Sequence, residues 1–322
     1  MPRLRPVERG TALSLHEIEF TSANGRDTIF GWVYEPASET RGIIHVIHGL
    51  GEHSRRYLRL INRLLDAGFV VVADDHAGHG KTAMTSGIWG DAGDDSDRVV
   101  VDDERTLRDK VRDLHPNLPY VVFGHSWGSM IARGLAAGDS EWLDGLVLCG
   151  IAAQIHGIDE VLDRDALAAE ADPTSTATEA YAAQMFDGFT SRYGTDAFPT
   201  AWVARDPGVV RDHARDPFNN FGAPMSVRFI RGFVDLYDAV NADGWYPTVR
   251  TDLPVLILAG DADPVGNYGE GAYHVGNSLA ASGHHDVRAR IYTGFRHEVH
   301  NEPEIRDEVA DEIITFAQRC VG

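Results

Sequence analysis

Two cysteines in 322 residues, Cys149 within an apolar run and Cys320 near the C-terminus, are too few for a disulfide framework. A reducing, cytoplasmic setting is therefore expected. No apolar run approaches the roughly 18 residues that a membrane-spanning helix needs, so no integral membrane association is expected. Met1 to Gly10 carries arginines and prolines with no apolar stretch behind them, and no secretion signal is read there. Positive charge is also short: 29 Lys and Arg stand against 49 Asp and Glu, a formal charge of −20. That balance opposes binding to nucleic-acid phosphates or anionic membrane surfaces and favours a neutral or zwitterionic small-molecule substrate. Internal repeats and low-complexity tracts are missing too, while 43% apolar and 24% charged residues make an ordinary folding composition.

What is present is an alternation of strands and helices. Leu15 to Thr21 and Thr28 to Glu35 read as strands across an Asn24-Gly25 turn. Gly42 to His48, Phe69 to Ala73, Tyr120 to Phe123, Leu143 to Cys149, Val255 to Ala259 and Val287 to Tyr292 read as further, mostly buried strands. Between them, Tyr57, Ile61, Leu64 and Leu65 share a helical face, as do Leu107, Val111 and Leu114, and Met130, Ile131 and Leu135. A polar loop is expected from Asp74 to Asp97. The final helix carries Ile305, Val309, Ile313 and Phe316 on one face, with Asn301 as its expected cap and Glu304 three residues on. Parallel crossovers need a dozen or more residues, so this order predicts an α/β fold: a mostly parallel sheet with helices on both faces and a ligand site at strand C-terminal ends. The interval 154–250 offers no buried strand and is expected to be a helical cap inserted between core segments 1–153 and 251–322. Its aromatic residues either form its own core or face the site, and Phe186, Phe189, Phe221 and Phe229 are the candidates for substrate contact.

Gly124-His125-Ser126-Trp127-Gly128 follows a strand and precedes a helix, the setting in which glycines on either side let a sharp turn expose a serine hydroxyl. Serine needs a base to remove its proton, and His297 lies in a loop between the last strand and the last helix, with His300 as its rival. The histidine needs an acid to hold its tautomer. Asp261 and Asp263 both follow strand Val255 to Ala259; Asp263 is expected to serve and Asp261 to bond its own turn. A tetrahedral intermediate needs N–H donors. Trp127, after the serine, and Leu50, in the loop His48-Gly49-Leu50-Gly51-Glu52-His53-Ser54, are the expected ones, with His48 and His53 organising that loop.

These segments, together with Arg55-Arg56-Tyr57 and Asp75-His76-Ala77-Gly78-His79-Gly80-Lys81-Thr82, resemble the α/β-hydrolase superfamily in its monoacylglycerol lipase and lysophospholipase branch, the S33-type hydrolases. Trp127 stands where that family commonly has Met, Ser129 where Gly is usual and Ala77 where Arg is frequent. The resemblance implies a serine carboxylic-ester hydrolase acting on single-chain lipid esters, neutral ones foremost, without a metal or organic cofactor. The same triad also serves small-ester hydrolases, proline aminopeptidases and perhydrolases, which compete at the level of substrate. A zinc hydrolase is disfavoured because His297 and His300 are three apart, not the four of the H-E-x-x-H pattern. A non-catalytic receptor on the same fold is disfavoured by the intact Ser126, Asp263 and His297 set.

Overall fold

The computed structural model describes residues 14–138, 140–194 and 196–322. The stretch Met1 to Gly10, read above for a signal, lies outside the described residues. One sheet contains β1 (Ser14–Thr21), β2 (Thr28–Glu35), β3 (Gly42–Ile47), β4 (Phe69–Asp75), β5 (Tyr120–His125), β6 (Gly145–Cys149), β7 (Val255–Gly260) and β8 (Val287–Tyr292). Their spatial order is β1-β2-β4-β3-β5-β6-β7-β8. The β1–β2 and β2–β4 pairings are antiparallel, and every pairing from β4–β3 onward is parallel. Each strand expected from the sequence is there, with ends moved by a residue or two.

The all-apolar runs of the central strands follow from cover on both sides. Ile43, Ile47, Val70, Val72 and Val122 enter one cluster with α3 (Ser96–Leu114), α4 (Trp127–Ala136) and α9 (Glu270–Ala281). The alternate positions Ile44, Val46, Val71, Ala73 and Val121 enter the other, with α1 (Leu58–Asp66) and α10 (Arg306–Val321). Each fully buried aliphatic side chain contributes roughly 1.5–3 kcal/mol of transfer free energy.

Three local expectations are corrected. The loop after β4 contains α2 (Gly80–Ser86), and α3 already begins at Ser96. Leu114, in the last turn of α3, points to solvent. The last helix starts at Arg306, with Ile305 as its N-cap residue. Asn301 instead donates from Nδ2 to Glu298. Its turn is held open because Glu302 accepts the backbone N–H groups of Arg205 and Asp206.

Between β6 and β7 the chain forms α5 (Arg164–Ala169), α6 (Glu179–Met185), α7 (Pro207–Arg215) and α8 (Val227–Asn241), with no strand among the described residues beyond one isolated bridge, Thr176 to Ser226. Ser226 caps α8 by accepting the Phe229 N–H at 3.2 Å. Phe229, Ile230, Phe233 and Leu236 then bury α8 in the same cluster as the sheet, against α3 and α4. The inserted segment is thus tied into the core through its last helix.

The sheet order sets where a ligand can lie. From β3 the chain runs outward to β4 on one side, while β5 to β8 extend on the other, so the order reverses between β3 and β5. The crevice outside the C-terminal ends of two such strands is where open α/β sheets bind ligands. Here those ends lead into His48-Gly49-Leu50 and into His125-Ser126-Trp127.

Candidate active site

Ser126 joins β5 to α4 with φ 57 and ψ −122, a left-handed conformation that L-residues adopt only under constraint. The close approach explains the flanking glycines. A Cβ on Gly128 would lie 2.2 Å from the Ile47 carbonyl oxygen, and one on Gly124 would lie 2.2 Å from the Gly128 oxygen. The Ser126 N–H donates to the Cys149 carbonyl at 3.0 Å, and the Ser126 carbonyl accepts from Ser129 N–H at 2.8 Å. Ser129 Oγ also donates to that carbonyl, at 2.5 Å, and itself accepts the Ala152 N–H at 3.1 Å. The departure from glycine at 129 thereby adds a polar brace under the turn.

His297 and Asp263 are brought together from the loops after β8 and β7. Nδ1–H of His297 donates to Asp263 Oδ2 at 2.9 Å, and both side chains are buried. Asp263 Oδ1 is occupied by the Val265 N–H at 2.9 Å, so the carboxylate is oriented from its own loop. The bond leaves Nε2 of His297 with its lone pair, the tautomer a general base requires. The His297 ring lies 4.6 Å from that of His125, the residue before Ser126. Among the described residues Ser126 Oγ makes no hydrogen bond to His297, a looseness common before substrate closes such a site. Burial works against charge on His297, but Asp263 outweighs it and the pKa is raised above the ordinary 6.5. A base must be neutral, so kcat/KM is expected to rise with pH and reach its plateau above neutrality. An initial-rate pH profile with its midpoint at or below about 6 would contradict control by Asp263.

The rivals are placed elsewhere. Asp261 Oδ1 accepts the Gly294 N–H at 2.6 Å, bracing the loop that leads to His297 where bonding within its own turn was expected. His300 is buried, stacks on Tyr57 at 5.0 Å between centroids, and has Cys149 Sγ at 3.7 Å from Nδ1. Burial, with His125 next to it, pushes its pKa down to about 3. Glu298 is taken by Arg56, at 2.5 and 2.9 Å, which removes it from any His-Glu-His metal pattern.

The proposed oxyanion donors lie on the two loops at the switch, Leu50 after β3 and Trp127 after β5. Trp127 opens α4, so its N–H is one of the helix's unpaired first donors, and neither it nor the Leu50 N–H meets an acceptor among the described residues. The Leu50 loop is fixed by parts that sequence reasoning missed. Glu52 Oε1 accepts the Gly49 N–H and the Tyr57 hydroxyl, each at 2.6 Å, and lies 3.1 Å from His125 Nδ1. Arg56 joins Glu52 to Glu298, so one buried cation serves two carboxylates. The i,i+4 spacing of Glu52 and Arg56 was the available signal. His53 Nε2–H donates to Asp216 at 2.9 Å, and the Gly51 carbonyl accepts the N–H groups of Asn220 and Phe221 at 3.0 and 3.1 Å, tying the loop to the inserted segment. Leu50→Pro is expected to delete one donor and cost about 3–4 kcal/mol of transition-state stabilisation, while Leu50→Ala stays mild. Equal losses in two folded variants, read as kcat/KM, would assign the role to the side chain.

Phe186, Phe189 and Phe221 line a cavity of about 830 Å³ that Leu50 and Trp202 also border. Phe229 does not. The phase of α8 turns it inward, where it packs on Trp127 at 5.5 Å and His79 at 5.9 Å, buried to 1% exposure. It supports the residue after the serine from behind. Trp202 meets the His297 ring at 5.1 Å, which makes the wall of the cavity continuous with the proposed base.

A parallel sheet reversing between β3 and β5, with an elbow serine at the switch and an Asp–His pair on the loops after β7 and β8, defines an α/β-hydrolase. The chain belongs to the serine aminopeptidase S33 family, whose pattern it matches over residues 38–304. It is 29% identical over 307 residues to the monoacylglycerol lipase of Mycolicibacterium smegmatis, covering 93% of this chain and 97% of that one. A solved lipase described as an open form is 53% identical with a TM-score of 0.93, covering 96% of this chain and all (100%) of the other. A thermostable carboxyl esterase from Bacillus coagulans, solved with glycerol, is 44% identical with a TM-score of 0.92, covering 97% and 100%.

Proposed function

We propose that the protein is a serine carboxylic-ester hydrolase of single-chain lipid esters, monoacylglycerols foremost. Ser126 attacks the ester carbonyl, His297 takes the proton and returns it to the leaving alcohol, and water then releases the acid from an acyl-enzyme. Leu50 and Trp127 N–H groups hold the oxyanion in each step. In this reading residues 154–250 act as a cap on a core formed by 1–153 and 251–322, and water is the co-substrate, with no metal or organic cofactor needed. The free thiols Cys149 and Cys320 suit a reducing compartment such as the cytoplasm. No helix among the described residues is long and apolar enough to cross a membrane.

The observation that carries the lipid reading is the cavity itself: about 830 Å³, bordered by Phe186, Phe189, Phe221, Trp202 and Ile230, with Leu50 at its edge. Among the described residues of its lining Glu179 is the one that carries a charge, and none of them is a Lys or Arg that would pair with a phosphate. The −20 net charge also disfavours an anionic head group. Neutral monoacylglycerols should therefore be turned over faster than anionic lysolipids. Similarity to the Bacillus coagulans esterase keeps a small-ester reading in play. A monomeric ester series from two to twelve carbons separates the two. Each newly buried methylene contributes about 0.8 kcal/mol, so kcat/KM is expected to climb about fourfold per CH₂ until the cavity is full. A preference confined to acetyl esters would leave the triad standing and reject the lipid substrate.

A further inference from the structure

We infer that the buried cluster Asp74, His76 and Glu104 is a positioning device that aims the Leu50 N–H, acting through His48. The inference rests on the reading of Leu50 as an oxyanion donor.

Asp74 at the end of β4, His76 just beyond it and Glu104 on α3 are all buried, at 1%, 2% and 0% exposure. Their potential donor atoms lie within 4.8 Å of one another. His76 Nδ1 is 3.1 Å from Glu104 Oε1 and 3.3 Å from Asp74, while Nε2 is 3.3 Å from the His48 carbonyl oxygen. Glu104 Oε1 on one side and the His48 carbonyl on the other can only accept, so both nitrogens carry hydrogen and His76 is an imidazolium. Burial opposes that charge, and the acidic pair of Asp74 and Glu104 outweighs it, holding the pKa well above the ordinary 6.5. From β3, His45 Nε2 faces the second Glu104 oxygen at 2.7 Å and keeps Glu104 in place, with the Tyr120 hydroxyl 3.0 Å from His45 Nδ1. Two carboxylates in so dry a space cannot both stay charged, and burial together with Glu104 pushes Asp74 up to about 8.

The consequence passes to His48. The His76 backbone N–H donates to His48 Nε2 at 3.2 Å, so that nitrogen holds a lone pair and the proton sits on Nδ1. Nδ1–H donates to the Gly49 carbonyl at 2.8 Å. Burial, with the charge on His76 adding to it, keeps His48 neutral, and the two rings stack at 3.8 Å. The Gly49 C=O and the Leu50 N–H are opposite ends of one planar peptide. Fixing the oxygen on one side points the N–H to the other, and a hydrogen bond accepted by the carbonyl polarises the unit and strengthens its N–H as a donor. Glu52 grips the preceding N–H, so the donor peptide is held from both flanks. Without the carboxylates His76 would keep one proton, and the bond to the His48 carbonyl or the one to the cluster would be lost.

The test begins with the unaltered protein. Long-range ¹H–¹⁵N spectra of histidine-labelled enzyme at pH 7, assigned with single His→Gln variants, should show His76 protonated on both nitrogens and His48 as the Nδ1–H tautomer. His76 with one proton, or His48 protonated on Nε2, overturns the inference. So does a stoichiometric divalent ion found by metal analysis, since a ligating His76 Nδ1 carries no hydrogen. The double variant Asp74→Asn/Glu104→Gln should then lose about ten- to a hundredfold in kcat with KM within about twofold, a part of what deleting a whole donor costs. Unchanged kcat in a folded double variant contradicts the device, and should that variant not fold, the spectra still decide. Ser126→Ala run alongside separates the two levels: it should keep the tautomers and lose turnover. Retained turnover there sinks the catalytic-serine reading while the histidine states stand.

Discussion

Asp263→Asn is expected to lower kcat by roughly 10⁴-fold, the scale of tautomer loss in comparable triads, with KM little changed. The carboxylate accepts Nδ1–H of His297 at 2.9 Å and is itself fully buried, so no water can take over its role. An asparagine there can offer its NH₂ to Nδ1, and the ring proton then moves to Nε2, the nitrogen that should receive the serine proton. The fold has little reason to fail, because the Asn carbonyl can still accept the Val265 N–H that Asp263 Oδ1 holds. Asp261→Asn provides the contrast. Its Oδ1 accepts a backbone N–H from Gly294, a bond an amide oxygen reproduces, so activity should stay within about threefold of the unaltered enzyme. Steady-state kinetics on one soluble ester reads both. The reverse ranking would transfer the acid's role to Asp261.

Ser126→Ala should remove more, on the order of 10⁵- to 10⁶-fold in kcat, leaving only what the oxyanion donors and the pocket supply. Alanine carries the same Cβ through the φ 57 turn, so stability should be nearly unchanged. Ser126→Gly should be as inactive and yet more stable by about 1 kcal/mol, because glycine alone relieves the left-handed strain. A thermal melt in which Gly does not exceed Ala would mean the turn stores no strain at this position.

The strands and the proposed triad were readable in the sequence because both depend on local patterns. A run such as Phe69-Val70-Val71-Val72-Ala73 can only be a doubly covered strand when helices flank it; Ser126 and Asp263 each sit at or just after the end of such a run, and His297 sits in the loop between the last strand and the last helix. Other features depend on partners far along the chain. Arg56 meets Glu298 across 242 positions, and nothing in either segment names the other. Phe229 was expected among the substrate-facing aromatics because composition places it in the inserted segment. Only the rotation of α8 on α4 decides which way it points, and that is a property of packing. The cap at Asn301 failed for a similar reason, since Glu302 is drawn to the Arg205 and Asp206 amides and the helix can start only after that turn. His48 was read as organising its loop, but its proton position is set by the backbone N–H of His76, which the chain brings up 28 residues further on.

Mass mapping of the fluorophosphonate-treated protein tests the central claim most directly. One adduct is expected, on the peptide that carries Ser126, appearing as esterase activity disappears, absent in Ser126→Ala and much slower in Asp263→Asn. An adduct on any other residue that accounts for the lost activity, or full ester turnover by protein that has no adduct after exhaustive treatment, would contradict Ser126 as the nucleophile.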